Sequence, residues 1–232
     1  MKLSDRLQRI SQFVTKGNVL ADIGTDHGYI PIYLVEKGII PYAYACDVKD
    51  GPLERAKEHI KEHSLEDKIE TVKSDGLQNL EKNQADTILI AGMGGALTID
   101  ILSKGIDVLN TAKELIVSPH SEINLVRKYI YSIGYEITKE DMIIDSSKYY
   151  VVMKWVKAKE KIKSYNECEL LYGPLLLKNK NQTLFTYLNH EMSNYEKIYK
   201  NIIDTDNEET IKRREDIKRR LNIIKEALNY YD

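Results

Sequence analysis

The chain has 232 residues, 42% hydrophobic and 30% charged, which is enough apolar material for one large or two modest domains and too little bias for disorder. A net charge of −2 excludes a globally basic nucleic-acid binder but not a local basic face, and two cysteines exclude a disulfide scaffold or cysteine-rich zinc site and fit a reducing cytoplasm. No apolar run reaches the ~18 residues of a membrane span, and the charged start MKLSDRLQRISQF lacks the apolar centre of a signal peptide.

Leu3, Leu7, Ile10 and Val14 share one face of a helix over Met1–Val14. Asn18–Ile23 reads as a buried strand and Tyr29–Lys37 as a helix stopped by Gly38. Tyr42–Asp47 is a second strand, and Leu53–His63 a helix that starts just after Gly51-Pro52. Lys68–Lys73 and Asp86–Ala91 are the third and fourth strands; Ala96–Leu109 is helical. Glu114–Ser118 is the fifth strand, and Glu122–Ser132 a helix ended by Gly134. Tyr135–Ile144 and Tyr149–Val156 lie too close together for a helix between them and must pair as a hairpin. Strand and helix thus alternate five times before a hairpin. That predicts an α/β fold with a mostly parallel sheet covered on both faces and capped by an antiparallel last strand.

Composition changes after Lys157, where a polar stretch to Asn166 reads as a linker and Gly173-Pro174 as the start of the next module. Phe185, Leu188, Met192, Tyr195, Tyr199 and Ile202 form one heptad seam; Ile217, Leu221, Ile224, Leu228 and Tyr231 form another. Thr205 and Glu208 fit a capping box at the start of the second helix. The expected domains are 1–158, the α/β sheet, and 159–232, an antiparallel, coiled-coil-like helical hairpin.

The first strand hands over to its helix through Asp22-Ile23-Gly24-Thr25-Asp26-His27-Gly28. Glycines there permit positive φ and close ligand approach, and the following helix N-terminus offers unpaired N–H groups. The spacing is not the dinucleotide fingerprint. It resembles the acidic-x-Gly-x-Gly-x-Gly loop of class I S-adenosylmethionine (SAM) methyltransferases, with Asp26 at the middle glycine. Asp47 ends the second strand 25 residues after Asp22 and can take both hydroxyls of a ribose. Asp75-Gly76 follows the third strand, where a carboxylate can accept from an adenine amino group. Gly92-Met93-Gly94-Gly95 follows the fourth; three glycines in four residues imply that something passes close to that backbone. Each piece alone also suits an ordinary turn, but in open α/β sheets ligands bind at these strand ends, and the joint order is far more specific.

With these pieces in place, the chain resembles the bacterial tRNA (adenine-22-N1)-methyltransferase family. The resemblance rests on Leu3-Ser4-x-Arg6-Leu7, Ala21-Asp22-Ile23-Gly24-x-Asp26-His27, Asp50-Gly51-Pro52, Ile90-Ala91-Gly92-Met93-Gly94-Gly95 and Gly173-Pro174, and it covers nearly the whole chain. It implies a Rossmann-like SAM domain with a C-terminal coiled-coil domain, methylating N1 of an adenine in the D-loop region of tRNA. Asp22, Gly24, Asp26, Gly28, Asp47, Asp75 and Gly76 then form the cofactor site, with Gly92 and Met93 beside them. One departure stands out: Ser118-Pro119-His120 replaces an expected Gln-Pro-Asn after strand five.

Adenine N1 carries an in-plane lone pair and can attack the sulfonium methyl in line without a base, so catalysis should come mainly from positioning. Asp26, His27 and Tyr29 are the candidates for orienting the base and offsetting the charge it gains, and Arg6 on the N-terminal helix is the candidate for holding a phosphate or the base, completing the expected catalytic set. The nucleotide must be extruded to expose N1. Lys212, Arg213, Arg214, Lys218, Arg219 and Arg220 offer phosphate contacts, or else a solvated helix face paired to Glu208, Glu209, Glu215 and Asp216. His59 and His63 lack a third ligand, so no metal is expected; nor is a membrane or an obligate protein partner. A small-molecule methyltransferase and a non-catalytic SAM- and RNA-binding protein remain as alternatives.

Overall fold

The computed structural model describes residues 1–160, 164–202 and 207–232. The chain divides into two compact units, Met1–Ile162 and Lys163–Asp232. In the first, seven strands form one sheet: β1 (Leu20–Ile23), β2 (Ala43–Asp47), β3 (Ile69–Lys73), β4 (Thr87–Ala91), β5 (Glu114–Ser118), β6 (Tyr135–Asp145) and β7 (Lys148–Lys157), in the order β3-β2-β1-β4-β5-β7-β6. The first five are mutually parallel, and β7 is antiparallel to both neighbours. β1 and β5 are buried at every position and β4 at all but its last, as expected of parallel strands covered on both faces. The helices are α1 (Asp5–Ser11), α2 (Tyr29–Glu36), α3 (Asp50–Glu62), α4 (Gly95–Lys104), α5 (Ile106–Leu109) and α6 (Ile123–Ser132).

Four expectations change. The β3–β4 connection holds no α-helix, so strand and helix alternate four times, not five. Its turns are organised by Ser74, whose hydroxyl donates to the Gly76 carbonyl at 2.9 Å and accepts from the Asn79 N–H at 3.1 Å. The helix expected over Ala96–Leu109 breaks at Gly105, where a Cβ would stand 2.5 Å from that of Leu77. The last strand does not cap the sheet: β7 inserts between β5 and β6, leaving β6 at the edge. The hairpin loop is only Ser146-Ser147, both left-handed (φ 50° and 62°), the two-residue geometry that matches strand twist.

The second unit comprises α7 (Glu167–Tyr172), α8 (Pro174–Lys178), α9 (Gln182–Asn201), α10 (Glu208–Leu228) and a closing 3-10 turn. The Tyr231 hydroxyl donates to the Asn181 carbonyl, Arg220 pairs with Glu191, and Arg214 lies over Tyr199. As one partner's number rises the other's falls, so α9 and α10 run antiparallel. The second seam is buried at Ile217, Leu221 and Ile224. The first is shifted: Leu184, Leu188 and Glu191 are buried, while Phe185 is exposed and rests on Tyr231. A glutamate enters the seam because Tyr172 Oη (2.6 Å) and Arg220 Nη2 (2.7 Å) both donate to it. The unit begins before Gly173-Pro174, at α7, whose N-terminus carries a reciprocal Asn166–Glu169 capping box. Thr205 lies outside the described residues; the N-cap of α10 is Asn207.

Candidate active site

The chain winds outward from β1 through β2 to β3 and then crosses back to β4 on the other side of β1. The loops after β1 and β4 therefore diverge and open a crevice, the place where doubly wound sheets bind ligands. A cleft of about 210 Å³ lies there, lined by Arg6, Asp22, Gly24, Thr25, Asp26, Tyr29 and neighbouring apolar residues.

The β1–α2 loop reaches its shape through positive φ at Gly24 (75°), Asp26 (52°) and Gly28 (71°). The N–H groups of Gly24 and Thr25 donate to the Cys46 carbonyl at 2.8 and 3.0 Å, tying the loop to β2. A Cβ on Gly24 would overlap the terminal methyl of Met93, which would have to swing aside, and the positive φ is what favours glycine where this loop meets the β4–α4 loop. Gly28 is the N-cap of α2.

Asp22 is buried, and burial pushes its carboxyl up to about 7, with Asp47 nearby adding repulsion and the Thr25 hydroxyl (2.8 Å) partly offsetting both. No cationic side chain among the described residues pairs with it. Asp47 is half-buried and accepts from the Lys49 N–H at 2.9 Å. Asp75 is exposed at the neighbouring strand end, within 3.5 Å of Gln78 Nε2. Gly76 has a packing reason of its own, since a Cβ there would meet Ile101 at 2.9 Å.

The expected catalytic residues separate. Asp26 is exposed and held by Arg55 at 2.9 Å, with His27 Nε2 at 3.6 Å. Tyr29 lines the cleft, but His27 does not: its ring packs with Tyr29 and His59, with centroids 5.1 and 5.4 Å away. Arg6 lines the cleft from α1; its Nη1 donates to His120 Nε2 at 2.7 Å and its guanidinium lies 5.0 Å over Tyr150. Tyr150 carries no local motif to mark it, and His120 was visible only as a departure from an expected pattern. Of the three glycines after β4, Gly92 (φ 80°) would bring a Cβ into contact with Arg6 Nη2 and the His120 ring at 3.9 Å, while Gly95 lies under the 121–122 backbone, 2.7 Å from where a Cβ would be. Part of that glycine cluster therefore serves the chain's own packing. Among the described residues no three His, Cys, Asp or Glu side chains could hold a metal ion.

A methyltransferase domain model matches residues 3–153. A tRNA (adenine(22)-N(1))-methyltransferase of Bacillus subtilis is 32% identical over 99% of this chain and 98% of its own length. This chain belongs to the tRNA (adenine(22)-N1)-methyltransferase family. Two solved structures called TrmK, the B. subtilis one described as an m1A22 tRNA methyltransferase, are similar to it in fold. The B. subtilis structure has a TM-score of 0.88 at 31% identity over 98% of this chain and 99% of that one. That of M. capricolum, in complex with the cofactor product S-adenosyl-homocysteine, has a TM-score of 0.86 at 28% identity over 99% of each.

For a tRNA (adenine(22)-N1)-methyltransferase the cleft fits the methyl donor. A buried carboxylate without a cation suits a sulfonium or ammonium group, and Asp47 at the adjacent strand end leaves an oxygen for hydroxyl donors. In the helical unit Lys212, Arg213 and Lys218 are exposed. Arg219 pairs with Glu167 and Arg220 with Glu191, neither of which is among the acidic neighbours expected.

Proposed function

We propose that this protein uses SAM to methylate N1 of adenine 22 in tRNA, in the cytoplasm and without a metal. The observation that carries this reading is the crevice between β1 and β4, where a buried carboxylate lacking a cation sits beside an interlocked glycine loop.

When bound, SAM supplies an electrophilic methyl group on sulfur. Asp22 meets its positive charge, Asp47 its ribose hydroxyls and Asp75 its adenine amine, while Gly24, Gly28 and Gly92 supply the left-handed turns of the two loops around it and Met93 closes over the first loop. Tyr29 offers its ring to the target base. Asp26, exposed at the cleft, offsets the positive charge that N1 gains, and His27 supports Tyr29 from behind. Residues 159–232 form the helical domain, and its exposed basic residues on α10 contact tRNA phosphates.

The test is transfer of labelled methyl from SAM to unmodified tRNA. Transfer should be lost when adenine 22 is replaced by guanine. Labelling of free adenosine but not of tRNA overturns the substrate assignment, and binding of both without turnover overturns the enzymatic one.

A further inference from the structure

Arg6 is held from three sides. Its backbone N–H donates to Asp145 Oδ2 at 3.2 Å, its Nη1 donates to His120 Nε2 at 2.7 Å, and its guanidinium lies over the Tyr150 ring. His120 is itself anchored, its N–H donating to the Met93 carbonyl at 2.8 Å, and its ring meets Tyr150 edge-on at 5.6 Å. An exposed arginine side chain is ordinarily mobile, and fixing one has an entropic cost. Here α1, the loop after β5 and the β6–β7 hairpin all contribute to fixing it. With Nη1 occupied, the Nε–Nη2 edge has no protein partner among the described residues. Nη2 is also the arginine atom nearest Gly92, 3.9 Å from where a Cβ would be, so the unused edge lies beside that glycine, and Arg6 itself lines the cleft. That planar two-donor edge matches two phosphate oxygens.

We propose that His120 and Tyr150 are positioning residues that hold Arg6 over Gly92, so that its free edge grips a phosphate of the RNA substrate. The proposal rests on the tRNA methyltransferase reading and assigns a substrate-binding role to the loop after β5.

The arrangement predicts a pH dependence. The Arg6 hydrogen bond requires an unprotonated Nε2, so the proton sits on Nδ1 of a neutral ring. The charged groups near the ring are Arg6 from α1 and Lys148 from the hairpin; Tyr150 flanks it, Asp145 holds the Arg6 backbone, and the β4–α4 loop presents only Gly92 and Met93. Burial, then Arg6 and Lys148, keep His120 below the ordinary histidine value and so neutral at physiological pH. Protonation at lower pH places two cations against each other and releases Arg6.

The experiment measures KM for tRNA and kcat at saturating SAM from pH 5.5 to 8. Wild type, His120→Gln, His120→Leu and Arg6→Gln are compared, with SAM affinity measured separately. For wild type, KM should rise toward the acid end of that range, below the ordinary histidine value. His120→Gln can bring its Oε1 to the Nε2 position and accept the same hydrogen bond without titrating, so it should keep the wild-type KM at pH 8 and lose the acid rise. His120→Leu should raise KM about tenfold at every pH with kcat and SAM affinity unchanged, the factor expected for a lost hydrogen bond to a charged group. Arg6→Gln should reduce the salt dependence of tRNA affinity by about one charge. An acid rise that survives in His120→Gln, or a wild-type KM in His120→Leu, overturns the positioning role. An unchanged salt slope in Arg6→Gln overturns the phosphate assignment. Failure of wild type to methylate tRNA overturns the methyltransferase reading, and this proposal with it.

Discussion

Burial gives Asp22 a pH signature that SAM binding should reveal. Its carboxyl is pushed from 3.8 up to about 7, chiefly by desolvation, so without donor a large share of the protein carries it protonated near neutrality. A cationic ligand in the cleft favours the ionised form. If the bound donor restores the ordinary acidity, binding at lower pH must first remove a proton, and the apparent Kd grows as protonated Asp22 accumulates. Affinity should then be about elevenfold weaker at pH 6 than at the alkaline plateau, and about twofold weaker at pH 7. Calorimetric titration with SAM between pH 5.5 and 7.5 stays below the titration of an α-amino group at about 7.7–8.0. Repeating it at pH 6 in buffers of different ionisation enthalpy should reveal release of nearly one proton. Asp22→Asn should bind more weakly and show neither effect. Stability has the matching sign. The raised carboxyl favours the donor-free fold fully below pH 3.8, and that contribution, on the order of 4 kcal/mol, is lost as pH rises through about 7. SAM should therefore raise Tm more at pH 7.5 than at pH 5.5. A pH-independent Kd between pH 6 and 7.5, with no proton released, would refute the placement of Asp22 against the donor's charge.

The loop, the core and the helical unit each yield a separate expectation. Gly24→Ala forces a side chain into a left-handed conformation and against Met93, so urea unfolding of the donor-free protein should show a loss of at least about 1–2 kcal/mol; an unchanged midpoint would show that the loop tolerates a Cβ. The Arg127–Glu140 pair, at 2.7 Å and essentially without solvent exposure, should cost about 3–5 kcal/mol when Glu140→Leu leaves the arginine behind. Arg127→Met with Glu140→Leu should recover most of that in the same unfolding assay. Replacing Lys212, Arg213 and Lys218 together by alanine should weaken tRNA binding and flatten its salt dependence by up to about three charges, with SAM affinity unchanged. Wild-type gel-shift affinity in that triple variant would remove α10 from the RNA contact.

Much of the site was legible because its signals are local. A strand shows in four or five consecutive apolar residues, as in Leu20–Ile23 and Thr87–Ala91, and a helix in the spacing of a few more. The need for positive φ at Gly24 and Gly28 belongs to single residues just past a strand, so this candidate loop could be placed before any fold was known. Asp22 and Asp47 likewise followed from their positions at strand ends.

The element types, the loops that follow the strands and the chemistry those loops can offer were therefore readable along the chain. Tertiary structure alone decided which distant residues complete the site. Insertion of β7 between β5 and β6 carries Tyr150 to Arg6 and His120, and no periodicity along the chain encodes which sheet edge a late hairpin will choose. The same holds for Glu191 in the helical seam, whose burial depends on Tyr172 and Arg220 arriving from other helices, and for Gly95 and Gly105, whose missing side chains make room for neighbouring segments. The acidity of Asp22 is a further case: the carboxylate is encoded in one residue, but its shift comes from the elements that exclude water around it.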